Sequence, residues 1–315
     1  MTTTASIAAS PARATPAWAD PADLADRFRA VRAFTEALAE PLSAEDQTVQ
    51  TMADVSPTKW HRAHTTWFFE TFVLGPHRPG YEAVDPTYGF LFNSYYEAVG
   101  PRHARVERGH LTRPGVAEVA TYRRRVDEAV GEMLADGVAG PVAALVELGL
   151  QHEQQHQELL LMDIKHVLGA NPTRPRYLPP PAPASTAPAS AGAAPSTATW
   201  ARHPGGVVAV GHEGDGFHFD NEAPRHDTLL APFAVATGLV TCGDWLEFMA
   251  AGGYHRPGHW MSDGWATIQR EDWDAPLYWD RTDDGWVVHT LYGTRPVDPA
   301  EPVVHVSWYE ADAFA

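Results

Sequence analysis

Apolar side chains recur at three- and four-residue spacing through the first half of the chain, which is the pattern of amphipathic helices. The spacing holds over four stretches, residues 24–42, 57–75, 115–135 and 141–169. Ser56 suits the N-cap of the second stretch, Pro57 its first turn and Gly75 its end. Four such stretches, joined by connections of varied length, predict a four-helix bundle over residues 20–177.

The pattern changes after residue 200, where short apolar runs alternate with turns rich in Gly, Pro, Asp and Trp. Three runs, residues 206–211, 233–237 and 286–290, have the length of strands. The final residues, VSWYEADAFA, have the spacing of an amphipathic helix that stops in its first turns. Residues 200–315 therefore predict a loop-rich α+β domain that is incomplete at its C-terminus. An incomplete core predicts exposed apolar surface around four aromatic residues, Trp245, Phe248, Trp308 and Phe314.

Two stretches have no periodic apolar face. Residues 178–199 are almost entirely Pro, Ala, Ser, Thr and Gly, a composition typical of a semi-stiff linker. Residues 1–19 have the same character and predict a disordered tail. The tail has no basic start followed by a continuous apolar run, so it does not predict a signal peptide. The longest apolar stretch, residues 229–240, is too short to cross a bilayer.

Composition narrows the class of protein. The 315 residues are 44% hydrophobic and 20% charged, which is typical of a globular protein. The formal net charge is −17, and this negative field disfavours nucleic acid or an anionic membrane as a partner. The single cysteine, Cys242, cannot form an intramolecular disulfide, so a reducing, cytoplasmic location is expected.

Histidine is unusually frequent, at 16 residues, and two of them lie four residues apart. His152 and His156 therefore share one helix face, and the apolar residues that extend this face predict that it points into the bundle. A metal ion would satisfy both rings, whereas hydrogen bonds to carboxylates are the simpler alternative for an isolated pair. His64 adds a third imidazole on the second predicted helix, and His61 and His166 are expected at the surface or around the ligands.

Three neutral imidazole ligands leave coordination positions open for oxygen or substrate, and without cysteine they permit iron, zinc, copper or nickel. The adjacent Tyr95 and Tyr96 can donate a proton near a metal, although aromatic pairs more often pack a core. Arg102 and Arg105 can bind a carboxylate in bidentate fashion, although solvated arginines are commoner. Each of these signals is weak when it is taken alone.

Three strings in the first half are SPTKWHRAHTTWFFETFVL, GFLFNSYYEAVGPRHAR and HEQQHQELLLMDIKH. They resemble the iron(II)-dependent sulfoxide synthases of ergothioneine biosynthesis, also called hercynine oxygenases. Two later strings, GGYHRPGHWMSDGW and PVVHVSWYEADAFA, resemble the C-type-lectin-like domain of formylglycine-generating enzymes, the sulfatase-modifying-factor type. The resemblance implies an α+β multidomain protein in which a DinB-like four-helix bundle precedes that lectin-like domain.

The resemblance also implies a site and a reaction. In the family three histidines hold a non-haem iron(II), and His64, His152 and His156 match them. Gln155 matches a glutamine that is implicated in contacting hercynine, the trimethylated histidine substrate. The implied reaction uses O2 to join a thiol sulfur to the imidazole C2 of hercynine and to oxidise that sulfur to a sulfoxide. Coordination would supply both orientation and activation.

The thiol divides the family into branches. One branch takes γ-glutamylcysteine and uses an arginine pair, whereas another takes free cysteine and carries a tyrosine pair in an FNSYY-like string. Tyr95 and Tyr96 lie in that string, which favours free cysteine, with a tyrosine as the proton donor. Arg102 and Arg105 are expected to bind a substrate carboxylate in either branch.

Other hypotheses stay open, because the family's second domain normally continues beyond the last string and the active site is expected to be incomplete here. A DinB-type thiol transferase that uses zinc or nickel would account for the bundle but not for the second domain. A non-catalytic metal- or thiol-binding protein would account for the early end. Ovothiol or selenoneine chemistry is a close relative of the main hypothesis, and formylglycine generation is disfavoured because Cys242 stands alone.

Overall fold

The computed structural model describes residues 24–138, 140–180, 199–214 and 216–315. The predicted tail and most of the predicted linker lie outside the described residues. The chain divides into two compact units that meet in sequence between Val167 and Leu168. Within the described ranges, no helix is both long enough and apolar enough to span a membrane.

Helices dominate the first unit, as the spacing of apolar residues predicts. They are α1 (Leu24–Ala39), α2 (Thr58–Phe68), α3 (Gly75–His77), α4 (Tyr88–Leu91), α5 (Val116–Ala135) and α6 (Gly140–Ala170), of which the last three residues belong to the second unit. A π-helical turn, Phe69–Leu74, joins α2 to α3, and 3₁₀ turns cover Glu97–Val99 and Arg105–His110. The four predicted helical stretches correspond to α1, to α2 with its π-helical continuation, to α5 and to α6.

The long helices of this unit bury a common core of aromatic and aliphatic side chains. Trp67 of α2 and Leu150 of α6 are each 1% exposed. Phe28 of α1 meets Phe69 of the π-helical turn edge-on, with ring centroids 5.1 Å apart. A Cβ at Gly149 would lie 2.6 Å from the Phe69 ring, so this glycine lets α6 approach the π-helical turn closely.

A network of buried charges crosses the same core. Glu153 of α6 is fully buried and accepts hydrogen bonds from Arg32 of α1 at 2.8 Å and from Arg123 of α5 at 2.9 Å. Burial alone would raise the pKa of Glu153, but the charges of Arg32 and Arg123 outweigh it and lower that pKa to about 2. Because the partners come from different helices, the network sets the rotation of α6 against α1 and α5.

The second unit combines short antiparallel sheets with helices. Strand β1 (Trp200–His203) pairs with β4 (Phe233–Ala236), and β2 (Gly206–Val210) pairs with β3 (His226–Leu230). A three-stranded sheet contains β5 (Trp279–Thr282), β6 (Gly285–Thr290) and β7 (Gly293–Pro296), with β6 in the centre. The helices are α7 (Cys242–Ala250), α8 (Ser262–Glu271) and α9 (Trp308–Phe314). The three predicted strand runs correspond to β2, β4 and β6.

Register in the three-stranded sheet places Trp279 of β5 opposite Val288 of β6, and both are 8% exposed. These two residues form one small core with Cys242 of α7. A second small core gathers Tyr254, Trp260, Ile268 and Ala313. The unit therefore buries its apolar surface in small clusters rather than in one continuous interior.

The expectation of exposed aromatic surface is right for Trp308, which is 63% exposed, and wrong for Trp245, which is 1% exposed. The Trp245 ring stacks on Phe314 of α9, with centroids 5.1 Å apart and an interplanar angle of 10°. A capping box of Ser307 and Glu310 stabilises the first turn of α9, the helix that carries Phe314. Phe248 and Phe314 are half-buried.

Candidate metal centre

His64 is held in one orientation by the backbone and by two aromatic rings. It lies on α2 and is 1% exposed, and its Nδ1–H donates to the carbonyl of Phe92 at 2.6 Å. This bond leaves the lone pair of the neutral imidazole on Nε2. Trp60 and Trp67 stack against the ring, with centroids 4.6 Å and 5.5 Å away.

His152 and His156 lie one turn apart on α6 and face His64. The Nε2 atom of His152 is 3.2 Å from Nε2 of His64, and the His156 ring centroid lies 4.6 Å from those of both other histidines. One nitrogen from each of the three residues lies within 4.8 Å of the other two. Nitrogens bound to one ion at about 2.1 Å lie roughly 3 to 3.5 Å apart, so a metal fits between these rings after a small adjustment.

The protonation of the three rings also fits a metal. Burial lowers the pKa of His152 to about 4, and it lowers the pKa values of His64 and His156 well below their ordinary value, with repulsion between the rings adding to the effect. The neutral imidazole is the form that binds a metal. Nδ1 of His152, the ring nitrogen that faces away from His64, is buried without a hydrogen-bond partner among the described residues.

His61 lies beside the three histidines rather than at the surface. It is 3% exposed, and its Nδ1 atom is 2.9 Å from Nδ1 of His156. Its Nε2 atom is 2.9 Å from Oδ2 of Asp163, which also accepts the backbone N–H of Ser56 at 2.8 Å. The sequence predicted His61 either at the surface or around the ligands, and the structure places it around the ligands.

Arg108 is a buried cation beside the cluster that sequence reasoning missed. Its guanidinium carbon lies 3.3 Å from the centroid of the Trp60 ring, and its Nη1 donates to Ser56 Oγ at 2.9 Å. Ser56 was predicted to be the N-cap of α2, but its hydroxyl accepts a hydrogen bond from Arg108 instead. Burial lowers the pKa of Arg108 to about 10, with repulsion from Arg105 adding to the effect. The only sequence signal for Arg108 was the three-residue spacing that it shares with Arg102 and Arg105.

The two predicted catalytic tyrosines have different surroundings. Tyr96 packs against Trp67 with centroids 5.6 Å apart, and Trp67 in turn stacks on His64. Burial raises the pKa of the Tyr96 hydroxyl. Tyr95 is 67% exposed, and its ring lies 5.3 Å from the guanidinium carbon of Arg102. Only Tyr96 is thus joined to the histidine cluster by a continuous set of aromatic contacts.

The predicted substrate-binding residues lie outside the buried cluster. Arg102 donates to the carbonyl of Ser94 at 2.8 Å, and Arg105 donates to the carbonyl of Asp54. Both arginines are exposed, and so is Gln155, which directly precedes His156 in α6. The structure therefore brings the three histidines together and leaves these three side chains facing solvent.

Similarity to known proteins agrees with this layout. Residues 27–160 match the family model of the DinB superfamily, and residues 187–315 match that of the sulfatase-modifying factor enzyme 1-like domain. Over 271 residues, 83% of its length, the chain is 30% identical to the hercynine oxygenase of Mycolicibacterium smegmatis. In both of its domains the chain is similar to the hercynine oxygenases. The resemblance and the α+β multidomain fold predicted from the sequence are both confirmed.

Two further relatives show how far the likeness extends. The hercynine oxygenase of Mycobacterium tuberculosis is 29% identical over 262 residues, and the formylglycine-generating enzyme of Streptomyces coelicolor is 30% identical over 148 residues, or 43% of this chain and 47% of that enzyme. The alignments cover 57% and 58% of the two hercynine oxygenases. The chain therefore spans little more than half the length of these relatives.

Proposed function

We propose that the chain binds iron(II) through His64, His152 and His156 and acts as a sulfoxide synthase in ergothioneine biosynthesis. The observation that carries the proposal is the convergence of these three imidazoles within 4.8 Å, in a chain similar to proteins named hercynine oxygenase. In the balanced reaction, hercynine, a thiol and O2 give the C2-linked sulfoxide and one water. The C2–H and S–H bonds break, C–S and S–O bonds form, and O2 accepts four electrons.

An iron ion held by His64, His152 and His156 would supply the redox chemistry with O2 that the side chains lack. The protein holds the three ligands neutral and fixed before the metal arrives. Trp60 and Trp67 stack against His64 and exclude water from its ring faces. The hydrogen bond to Phe92 fixes the tautomer of His64, which is a role that residues around a metal commonly have.

Free cysteine is the favoured thiol, and γ-glutamylcysteine is the alternative. Tyr96 is favoured over Tyr95 as the proton donor, because it packs against Trp67 beside His64 whereas Tyr95 is 67% exposed. Arg102 and Arg105 would bind the carboxylate of the thiol substrate, and Gln155 would contact hercynine. The substrates are all small molecules, and the reducing chemistry of a free thiol is consistent with a cytoplasmic location.

A DinB-type thiol transferase that uses zinc or nickel is the second candidate. Its support is the donor set itself, since three neutral imidazoles bind zinc or nickel as readily as iron. The match of residues 187–315 to a sulfatase-modifying-factor domain favours the oxygenase. A non-catalytic metal-binding role is the third candidate. Turnover that requires O2 indicates the oxygenase, turnover without O2 indicates the thiol transferase, and no turnover indicates a non-catalytic role.

The test is anaerobic loading of the full chain with iron(II), followed by air, hercynine and equal amounts of cysteine and γ-glutamylcysteine, with products identified by mass. We expect the cysteine-derived sulfoxide. His156→Gln should lower turnover at least 100-fold, whereas His77→Gln, an identical change at an exposed position, should not alter it. If iron binds in a His156-dependent way but no product forms, the chain binds metal without acting as a sulfoxide synthase. If no iron binds, the three-histidine site is refuted.

A further inference from the structure

A partly buried chain of hydrogen bonds connects one of the three proposed ligands to a carboxylate. Asp163 Oδ2 and His61 Nε2 are 2.9 Å apart, and His61 Nδ1 and His156 Nδ1 are 2.9 Å apart. Asp163 lies on α6, two turns after His156, whereas His61 lies on α2. The bonds therefore leave α6, pass through a side chain of α2, and return to α6.

The direction of these bonds follows from what each atom can donate. The carboxylate of Asp163 only accepts, so the Nε2 atom of His61 must carry a hydrogen. In this tautomer the lone pair of the His61 imidazole is on Nδ1, which accepts the Nδ1–H of His156. His156 is left with one lone pair, on Nε2, and that nitrogen is the one able to bind a metal.

The carboxylate is itself fixed in place. Oδ2 of Asp163 accepts the backbone N–H of Ser56 at 2.8 Å, two residues before α2 begins. His61 is 3% exposed, so water competes little for its ring nitrogens. Both ends of the hydrogen-bonded chain are thus tied to helices that carry the proposed ligands.

We propose that Asp163 and His61 are positioning residues of the metal centre, which hold His156 in the tautomer and ring orientation that present Nε2 to the ion. The inference rests on the metal site of the proposed function. His61 itself contributes no metal ligand, because its Nε2 is engaged by Asp163 and its Nδ1 by His156. Removing such outer partners typically lowers metal affinity 10- to 100-fold without changing the ligand set.

The test measures Co(II) affinity and the visible absorption spectrum of the Co(II)-loaded full chain, with iron(II) as a competitor. His61→Phe should weaken binding roughly 10- to 100-fold and leave the band positions unchanged. His61→Asn retains an acceptor near Nδ1 and should recover part of the affinity. Asp163→Asn should weaken binding less than His61→Phe, and the double variant should bind no more weakly than His61→Phe, because Asp163 acts through His61.

His77→Phe is the matched control, because it makes the same replacement at an exposed histidine and should leave affinity and spectrum unaltered. Circular dichroism establishes that each variant is folded. If His61→Phe does not fold, the nearly isosteric Asp163→Asn is used for the affinity measurement instead. An affinity change below twofold in His61→Phe would overturn the proposal. Loss of the Co(II) spectrum in His61→Phe as complete as in His156→Gln would also overturn it, because His61 would then be a ligand. Additive losses of affinity in the double variant would contradict the claim that Asp163 acts through His61.

Failure of this inference is distinct from failure of the proposed function. If the unaltered chain does not bind Co(II) or iron(II) through His64, His152 and His156, the proposed function fails first. If it does bind and His61→Phe binds equally well, only the role of Asp163 and His61 is refuted. Affinity and spectrum are measured without turnover, so the outcome does not depend on the identity of the thiol.

Discussion

The two units satisfy their buried polar groups in different ways. In the first unit, Glu153 receives hydrogen bonds from arginines on two other helices, and all three charged groups are at most 3% exposed. In the second unit, Tyr254 donates to Glu310 at 2.5 Å within a small aromatic cluster. The first arrangement joins three helices, whereas the second joins one tyrosine to the first turn of α9.

The difference shows where this protein specifies geometry most strictly. Glu153 directly follows His152, so the charges that fix the rotation of α6 also fix the direction of a proposed metal ligand. Buried charge networks contribute little net stability, but they penalise every arrangement that leaves a charge unpaired. Apolar clusters tolerate small shifts. The strict polar network lies at the site, and the more tolerant packing lies in the second unit.

The largest expected effect comes from breaking the charge network. Glu153→Gln leaves the guanidinium groups of Arg32 and Arg123 buried without their shared carboxylate, so the free energy of unfolding of the first unit should fall by about 3–5 kcal/mol. Urea denaturation followed by helical circular dichroism measures it. Glu158→Gln, an exposed change on the same helix, should stay within about 0.5 kcal/mol. A loss below about 1 kcal/mol for Glu153→Gln would show that the network is dispensable.

A smaller effect is expected in the second unit. Tyr254→Phe removes one hydrogen bond to the buried Glu310, which keeps its bond from the backbone N–H of Ser307 at 2.6 Å. We expect about 1–2 kcal/mol lower local stability, seen as roughly tenfold faster hydrogen exchange in peptides of α9. Tyr292→Phe, at a 48% exposed tyrosine, is the matched control. An effect as large as that of Glu153→Gln would remove the contrast between the units.

The smallest effect concerns Glu36, at the half-exposed edge of the charge network. Burial would raise its pKa, but the hydrogen bond from Arg62 and the charge of Arg123 together lower it. The stabilisation is complete above the ordinary pKa of 4.5 and is lost as the pH falls through the lowered value. Because this side chain is 42% exposed, we expect at most about 1 kcal/mol.

Comparing Glu36→Gln with the unaltered chain in urea between neutral pH and pH 3 measures this contribution. The variant should be less stable at neutral pH, and the difference should shrink as the pH falls. Glu40→Gln, one turn later on the exposed surface, is the control and should show neither trend. A difference that grows in acid would contradict the assigned direction of the pKa shift.

Much of the fold was predictable because the signals are local. The spacing of apolar residues located all four long helices, and short apolar runs located β2, β4 and β6. A separation of four residues placed His152 and His156 on one helix face whatever the rest of the chain does. The burial of His61 and Arg108 was not predictable in this way, because it depends on α6 and on a loop packing over α2.

The sequence by itself determined the four long helices, three of the strands (β2, β4 and β6), the placement of two histidines on one helix face, and the likeness to the hercynine oxygenases. These follow from periodicity and from short strings, which depend on neighbours along the chain. Only the tertiary structure decided that His61 adjoins His156, that Tyr96 and not Tyr95 packs beside Trp67, and that α9 covers Trp245. Such contacts join residues from distant parts of the chain, so no local pattern encodes them.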